Sequence, residues 1–164
     1  MGTLTTESQA QPALKVMRTP RHVDIELTAR CNLRCKYCYF FGNEAVEYRD
    51  LPTEEWLKFF DELGALGVMD VTLAGGEPFM RKDLPEIIAT FKQHHFSIRV
   101  QTNGGPQVTY ERLAECVAAG LNDISVSIDT LDKLKQDDIC QRQGVVDHAL
   151  KTLEYAKQLI PNGI

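Results

Sequence analysis

The chain has no run approaching the ~20 apolar residues that a membrane-spanning helix needs, and its amino terminus lacks the apolar core of a secretory signal. No membrane partner is expected, and the compartment expected is the cytoplasm. Positive charge is scarce as well: 18 Lys and Arg stand against 23 Asp and Glu, for a net charge of −5. That balance argues against a nucleic-acid partner, which would call for a basic stripe to displace phosphate counterions. Arg30, Arg34 and Lys36 do cluster, but beside cysteines, where they can offset local negative charge. Cysteine is sparse too, and nothing in the chain argues for the disulfides of an oxidising compartment. What remains, 43% hydrophobic and 25% charged residues in a 164-residue chain, suits one globular domain with a sizeable core.

Three of the five cysteines, Cys31, Cys35 and Cys38, fall within eight residues. Spacings of four and three make a compact thiolate cage for a metal ion or cluster, and the local sequence offers neither a fourth Cys nor a His to close the shell. Structural zinc is normally closed by four ligands, whereas catalytic metals keep a place for water or substrate. Iron–sulfur clusters usually take four cysteines, so a three-cysteine version would leave one iron open to an exchangeable ligand. Zinc completed by a distant fourth ligand and a disulfide with one odd thiol are the competing readings. Cys116 lies on an apolar helical stripe and is expected in the core, and Cys140 lies in a polar connector as a bystander. The histidines lack ligand spacing to the cysteines; His94 and His95 end a helix, where solvent or the helix dipole accounts for them.

Along the chain, residues 1–20 are polar and irregular and are expected to form a loose leader, with the folded domain over 21–164. From His22 to Leu27 apolar and acidic residues alternate at strand period. A helix opens at Thr53, read as its cap, with Trp56, Phe59, Phe60, Leu63 and Leu66 as the buried stripe. A short strand over Val71 to Leu73 runs into Gly75-Gly76-Glu77-Pro78. The next helix carries Asp83 and Glu86 at capping-box spacing, with Pro85 in its first turn. The third strand spans Ser97 to Gln101 and ends at Thr102-Asn103-Gly104. Thr109 can cap the helix that follows, and Gly120 stops it. The fourth strand is expected over Asp123 to Ile128 and the last helix over Val145 to Leu159.

Strand then helix, four times over, argues for right-handed βαβ units and a parallel sheet. The cysteine loop, the Gly-Gly-Glu-Pro turn, Thr-Asn-Gly and Ser127-Ile128-Asp129 each sit at the carboxyl end of a successive strand, the edge where such sheets place their sites. One strand face is apolar. The other carries Asp24, Glu26, Thr72, Arg99, Gln101, Ser125 and Ser127, which suggests a hydrated interior in which Arg99 balances carboxylates, or else a lattice of ion pairs with no part in binding.

The run Cys31-Asn32-Leu33-Arg34-Cys35-Lys36-Tyr37-Cys38 resembles the CxxxCxxC motif of the radical S-adenosylmethionine enzymes, and Gly75 to Pro78 resembles their GGEP motif. The resemblance implies a partial (β/α) TIM-like barrel, an α/β fold with about four of the family's six parallel β/α units. It implies a [4Fe-4S] cluster on Cys31, Cys35 and Cys38, with S-adenosyl-L-methionine bound to the open iron and cleaved reductively to a 5′-deoxyadenosyl radical. Cofactor contacts are then expected from Tyr37 near the adenine, from Gly75, Gly76, Glu77 and Pro78 at the amino group, and from Thr102, Asn103 and Ser127. A glycine backbone can approach a ligand closely, and the Glu77 carboxylate can accept from an ammonium. The family further implies a reductant such as flavodoxin or ferredoxin, and a substrate, small molecule or peptide, that these motifs do not choose. Within the family the motifs are similar to the group of the molybdenum-cofactor cyclase and the SPASM maturases. The resemblance ends near Leu159, where a fifth strand is expected, so the sheet edge is expected to be completed by further chain, a partner or a second copy. A cofactor-binding module without catalysis, needing a partner chain, and a zinc-binding structural domain are the alternatives.

Overall fold

The computed structural model describes residues 19–41 and 49–162. Most of the leader expected over residues 1–20 lies outside the described residues. Four strands, β1 (His22–Glu26), β2 (Asp70–Ala74), β3 (Ser97–Thr102) and β4 (Asp123–Val126), form one parallel sheet in chain order. Among the described residues five α-helices accompany them: α1 (Thr53–Leu66), α2 (Leu84–Gln93), α3 (Tyr110–Ala119), α4 (Lys133–Cys140) and α5 (Val145–Leu159). This is the parallel α/β arrangement that the repeated strand–helix pattern implies.

The strand alternation decides where the core lies. Ile25, Leu73, Val71, Ile98, Val100 and Ile124 are buried beneath the helices, joined by Trp56, Phe60 and Leu63 of α1, Ile87, Ile88 and Phe91 of α2, and Leu113 and Cys116 of α3. Phe60 packs closely against Phe91 with the two rings tilted, so α1 and α2 share an aromatic contact over the sheet. Phe59 and Leu66, expected in this stripe, are exposed because they fall at its flank, where no helix among the described residues covers them. The opposite face is hydrated apart from Thr72, which is buried. There Arg99 pairs with Asp123 on the adjoining strand and Asp24 accepts from His22, so these charges are used locally.

Two caps differ from the sequence reading for one reason. Thr53 does not cap α1, whose N-cap is Pro52, and Asp83 makes no side-chain cap on α2. Thr53 Oγ1 instead donates to Asp83 Oδ2 at 2.6 Å, and Asp83 also accepts from the buried Arg81. Arg81 donates on to the backbone oxygens of Leu27 and Leu51. A buried guanidinium needs a carboxylate more than a helix end needs a cap. Helix α4 has no apolar stripe to announce it, since its buried residues are Gln136 and Cys140, one turn apart. Its sequence signal is Asp132, whose side chain caps it by accepting from Lys135 N.

Candidate functional site

The cysteine loop leaves the end of β1, and its first residues are fastened to the loop after β2. Leu27 N donates to Ala74 O at 3.0 Å, Gly76 N to Thr28 O at 2.6 Å and Glu77 N to Arg30 O at 2.8 Å, which continues the β1–β2 pairing past both strands. Glycine is required for this approach. A Cβ on Gly75, whose φ is +125°, would lie 2.4 Å from Thr28 O, and one on Gly76 would lie 2.4 Å from Arg30 O. The Gly-Gly pair thus serves backbone against backbone as well as presenting a surface to the cavity. Gly76→Ala is expected to destabilise the fold by about 2 kcal/mol through overpacking against an immovable carbonyl, measurable by chemical denaturation, and to displace the start of the cysteine loop.

Glu77 stands behind this wall. Its side chain is fully buried; Oε1 accepts from Phe79 N at 3.0 Å and from Thr102 Oγ1 at 2.8 Å, and Oε2 accepts from Asn103 N at 2.8 Å. Burial pushes the carboxyl up, and these hydrogen bonds only partly pull it back. The Glu77 carboxylate, expected at an ammonium group, thus takes three hydrogen bonds from the protein and does not line the cavity described below. Pro78 is likewise buried and opens the short 3-10 turn Pro78–Met80 instead of facing the cavity.

Asn103 carries the connection onward. Its Nδ2 donates to Asn32 Oδ1 at 2.8 Å and lies 3.7 Å from Cys31 Sγ, while Gln107 spans Asn103 and Asn32 with hydrogen bonds of 3.1 and 3.0 Å. Leu33 N also donates to Cys31 Sγ, at 3.4 Å. On the far side of the loop Arg34 N and Lys36 N donate to Cys140 O and Ile139 O, and Tyr37 donates to Asp129 Oδ2 at 3.2 Å. The sequence did not single out Asn32, Gln107 or Gln136, and it set Cys140 aside in a polar connector, whereas the structure buries it at the end of α4. An amide that only bridges two loops carries no pattern of its own.

These elements enclose a cavity of about 500 Å³ at the carboxyl ends of the strands. Cys31, Cys35, Tyr37 and Cys38 line it with Gly75, Gly76, Thr102, Asn103 and Ser127, while Glu77 and Pro78 do not. The four strand-end segments thus meet in one place. Glu26, which takes a hydrogen bond from Tyr39, and Asp24 also line it, and no Lys, Arg or His among the described residues does. Burial pushes the Cys31 thiol up and the Cys35 thiol up to about 12, with Cys140 adding to the latter. Metal binding at such thiols would displace protons. Among the described residues no group of His, Cys, Asp and Glu is drawn together closely enough for a single ion. Three cysteine thiols lining one cavity are a donor set of the kind that iron and sulfide take.

The chain matches the Radical SAM superfamily over residues 25–164. It belongs to that family. Among curated relatives this radical SAM domain is 33% identical over 150 residues to the PqqA peptide cyclase of Granulibacter bethesdensis, covering 88% of this chain and 38% of that protein. It is 35% identical over 142 residues to the probable GTP 3',8-cyclase of Pyrococcus abyssi, covering 87% and 45% respectively. The domain therefore spans less than half the length of these relatives. Among solved structures it resembles Streptococcus suis SuiB bound to S-adenosylmethionine, with a TM-score of 0.72 at 20% identity over 85% of this chain and 32% of that one. Methylornithine synthase, PylB, gives 0.69 at 20% identity, covering 84% and 41%. At these identities the likeness is one of fold, and it agrees with the α/β barrel architecture.

Proposed function

We propose that this domain holds a [4Fe-4S] cluster through Cys31, Cys35 and Cys38 and binds S-adenosyl-L-methionine across the same cavity. The observation that carries the reading is the convergence of three thiols, the Gly75-Gly76 turn, Thr102-Asn103 and Ser127 on one space at the strand ends. When bound, the two groups supply one-electron cleavage to a 5′-deoxyadenosyl radical for hydrogen abstraction from a substrate. The protein supplies placement. Three thiolates, with no other described Cys or His side chain in the cavity, leave one coordination position for the cofactor. Gly75 and Gly76 give an unhindered backbone surface for the methionyl end, Tyr37 an aromatic face for the adenine, and Thr102, Asn103 and Ser127 polar groups. Glu77 acts indirectly, by tying the turn after β2 to Thr102 and Asn103.

A reductant of the flavodoxin or ferredoxin type would deliver the electron, and a small molecule or a peptide would be the hydrogen donor. The names of the relatives span both kinds of substrate, a peptide for the PqqA cyclase and GTP for the other. The test is anaerobic reconstitution with iron and sulfide, then electron paramagnetic resonance of the dithionite-reduced protein with and without S-adenosylmethionine. A [4Fe-4S]⁺ signal that changes on addition of the cofactor is the expected result. A signal indifferent to the cofactor would remove the cofactor site, and a colourless protein retaining zinc would overturn the whole reading.

A further inference from the structure

The sheet face that floors the cavity has side chains the proposed function does not use, and the pairing register sorts them into layers. Asp24, Thr72, Arg99 and Asp123 share the lower layer. That layer satisfies itself. Arg99 Nε donates to Asp123 Oδ2 at 2.6 Å, and His22 Nε2 lies 2.9 Å from Asp24 Oδ1, a hydrogen bond that holds the Asp24 carboxyl below the usual range. Thr72 Oγ1 stands 3.2 Å from the same His22 nitrogen.

The layer above, with Glu26, Ala74 and Gln101, is left open. Glu26 Oε1 accepts from the Tyr39 hydroxyl, while Oε2 takes no hydrogen bond from a described residue. Two strands away, about 10 Å across the sheet, the Gln101 amide also has no partner among the described residues. Between them stands Ala74, whose methyl group leaves the space over the sheet free. All three line the cavity, one layer beneath the strand-end residues Gly76, Asn103 and Ser127. Among the described residues that line it, no cation offsets Glu26.

Resting on the proposed function, we infer that Glu26, with Gln101 facing it across Ala74, selects a substrate that presents a primary ammonium group and turns away phosphorylated substrates. A carboxylate with a free oxygen is a strong acceptor for an ammonium, because the hydrogen bond is charge-assisted. A phosphate in the same place would meet like charge with no described cation beside it, and such a juxtaposition is how a site rejects the wrong partner. Asp24 adds to the same field from the layer below, but its Oδ1 is already held by His22. Glu26 is a specificity residue here and takes no part in holding the cluster.

The experiment takes the full chain, reconstituted, oxidised and loaded with S-adenosylmethionine, and measures dissociation constants by anaerobic ligand-observed NMR titration. The probes are end-blocked Ala-Lys-Ala, end-blocked Ala-Glu-Ala, n-butylamine and GTP. Ala-Lys-Ala should bind more tightly than Ala-Glu-Ala and GTP. Glu26→Gln should weaken it roughly three- to tenfold, the loss of a charge-assisted pair that water still reaches, and should leave S-adenosylmethionine affinity unchanged. Glu62→Gln, which removes the same charge from an exposed position on α1, should do neither. Tighter binding of the peptide than of n-butylamine would give the ammonium a peptide source, and equal binding a free amine; both support the inference. Ala-Glu-Ala or GTP binding as tightly as Ala-Lys-Ala would overturn it, as would no binding of Ala-Lys-Ala or equal losses in the two variants. Weaker S-adenosylmethionine binding in Glu26→Gln would assign Glu26 to the cofactor's own ammonium, and overturn it too. A wild-type chain that takes up no iron or cofactor is a separate result, which defeats the proposed function and this inference with it.

Discussion

Cys35→Ala is expected to reduce iron incorporation on anaerobic reconstitution to background and to abolish cofactor cleavage with it. Cys35 is the middle cysteine of the loop and the proposed ligand that lines the cavity while packing against α4. A cluster with two protein ligands lacks the third thiolate that fixes its orientation toward the open position. Cys31→Ala and Cys38→Ala should behave alike. Cys116→Ala is the control, because Cys116, on the buried face of α3, belongs to the main core and does not line the cavity. Its iron content should match the wild type, with a modest loss of stability only. Iron retained in Cys35→Ala at the wild-type stoichiometry would remove Cys35 from the ligand set.

Glu77→Ala should cost both stability and cofactor affinity, for one structural reason. Removing the carboxylate leaves Phe79 N, Asn103 N and the Thr102 hydroxyl without their acceptor in a fully buried place. Each orphaned donor costs about 1–3 kcal/mol, so a total loss of roughly 3 kcal/mol or more is expected, a large share of a typical domain's 5–15 kcal/mol. The loss is read from denaturant melts of the apo chain. Because the same carboxylate holds the turn after β2 against the loop after β3, S-adenosylmethionine should also bind more weakly in a titration of the reconstituted variant. Glu77→Gln keeps the shape and one acceptor oxygen while turning an amide NH2 toward a donor, and should fall between wild type and alanine. Full stability in Glu77→Ala with weakened cofactor binding would instead point to a direct contact with the ligand.

The contrast between these two residues marks what sequence can express. The three cysteines are consecutive on one loop, so their spacing already states that they share a site. Glu77 sits in a recognisable tetrapeptide, yet the tetrapeptide does not say which way the carboxylate points. Only packing decides that, because turning it inward requires Thr102 and Asn103 from the next strand end to be waiting with donors. The two glycines show the same division. Their lack of Cβ is plain in the sequence, but the Thr28 and Arg30 carbonyls that demand it belong to another segment.

By itself the sequence determined the alternating strands and helices, the sheet's apolar face, the strand-end location of the unusual residues and the grouping of three cysteines. Those are local properties, written in period-two and period-3.6 patterns and in spacings within one loop. The tertiary structure alone decided that α4 exists without an apolar stripe, that Arg99 is spent on Asp123 and that Cys140 backs Cys35. Each depends on polar groups from segments distant in the chain. A buried polar group must find a partner wherever the fold supplies one, and that choice has no period and leaves no local trace.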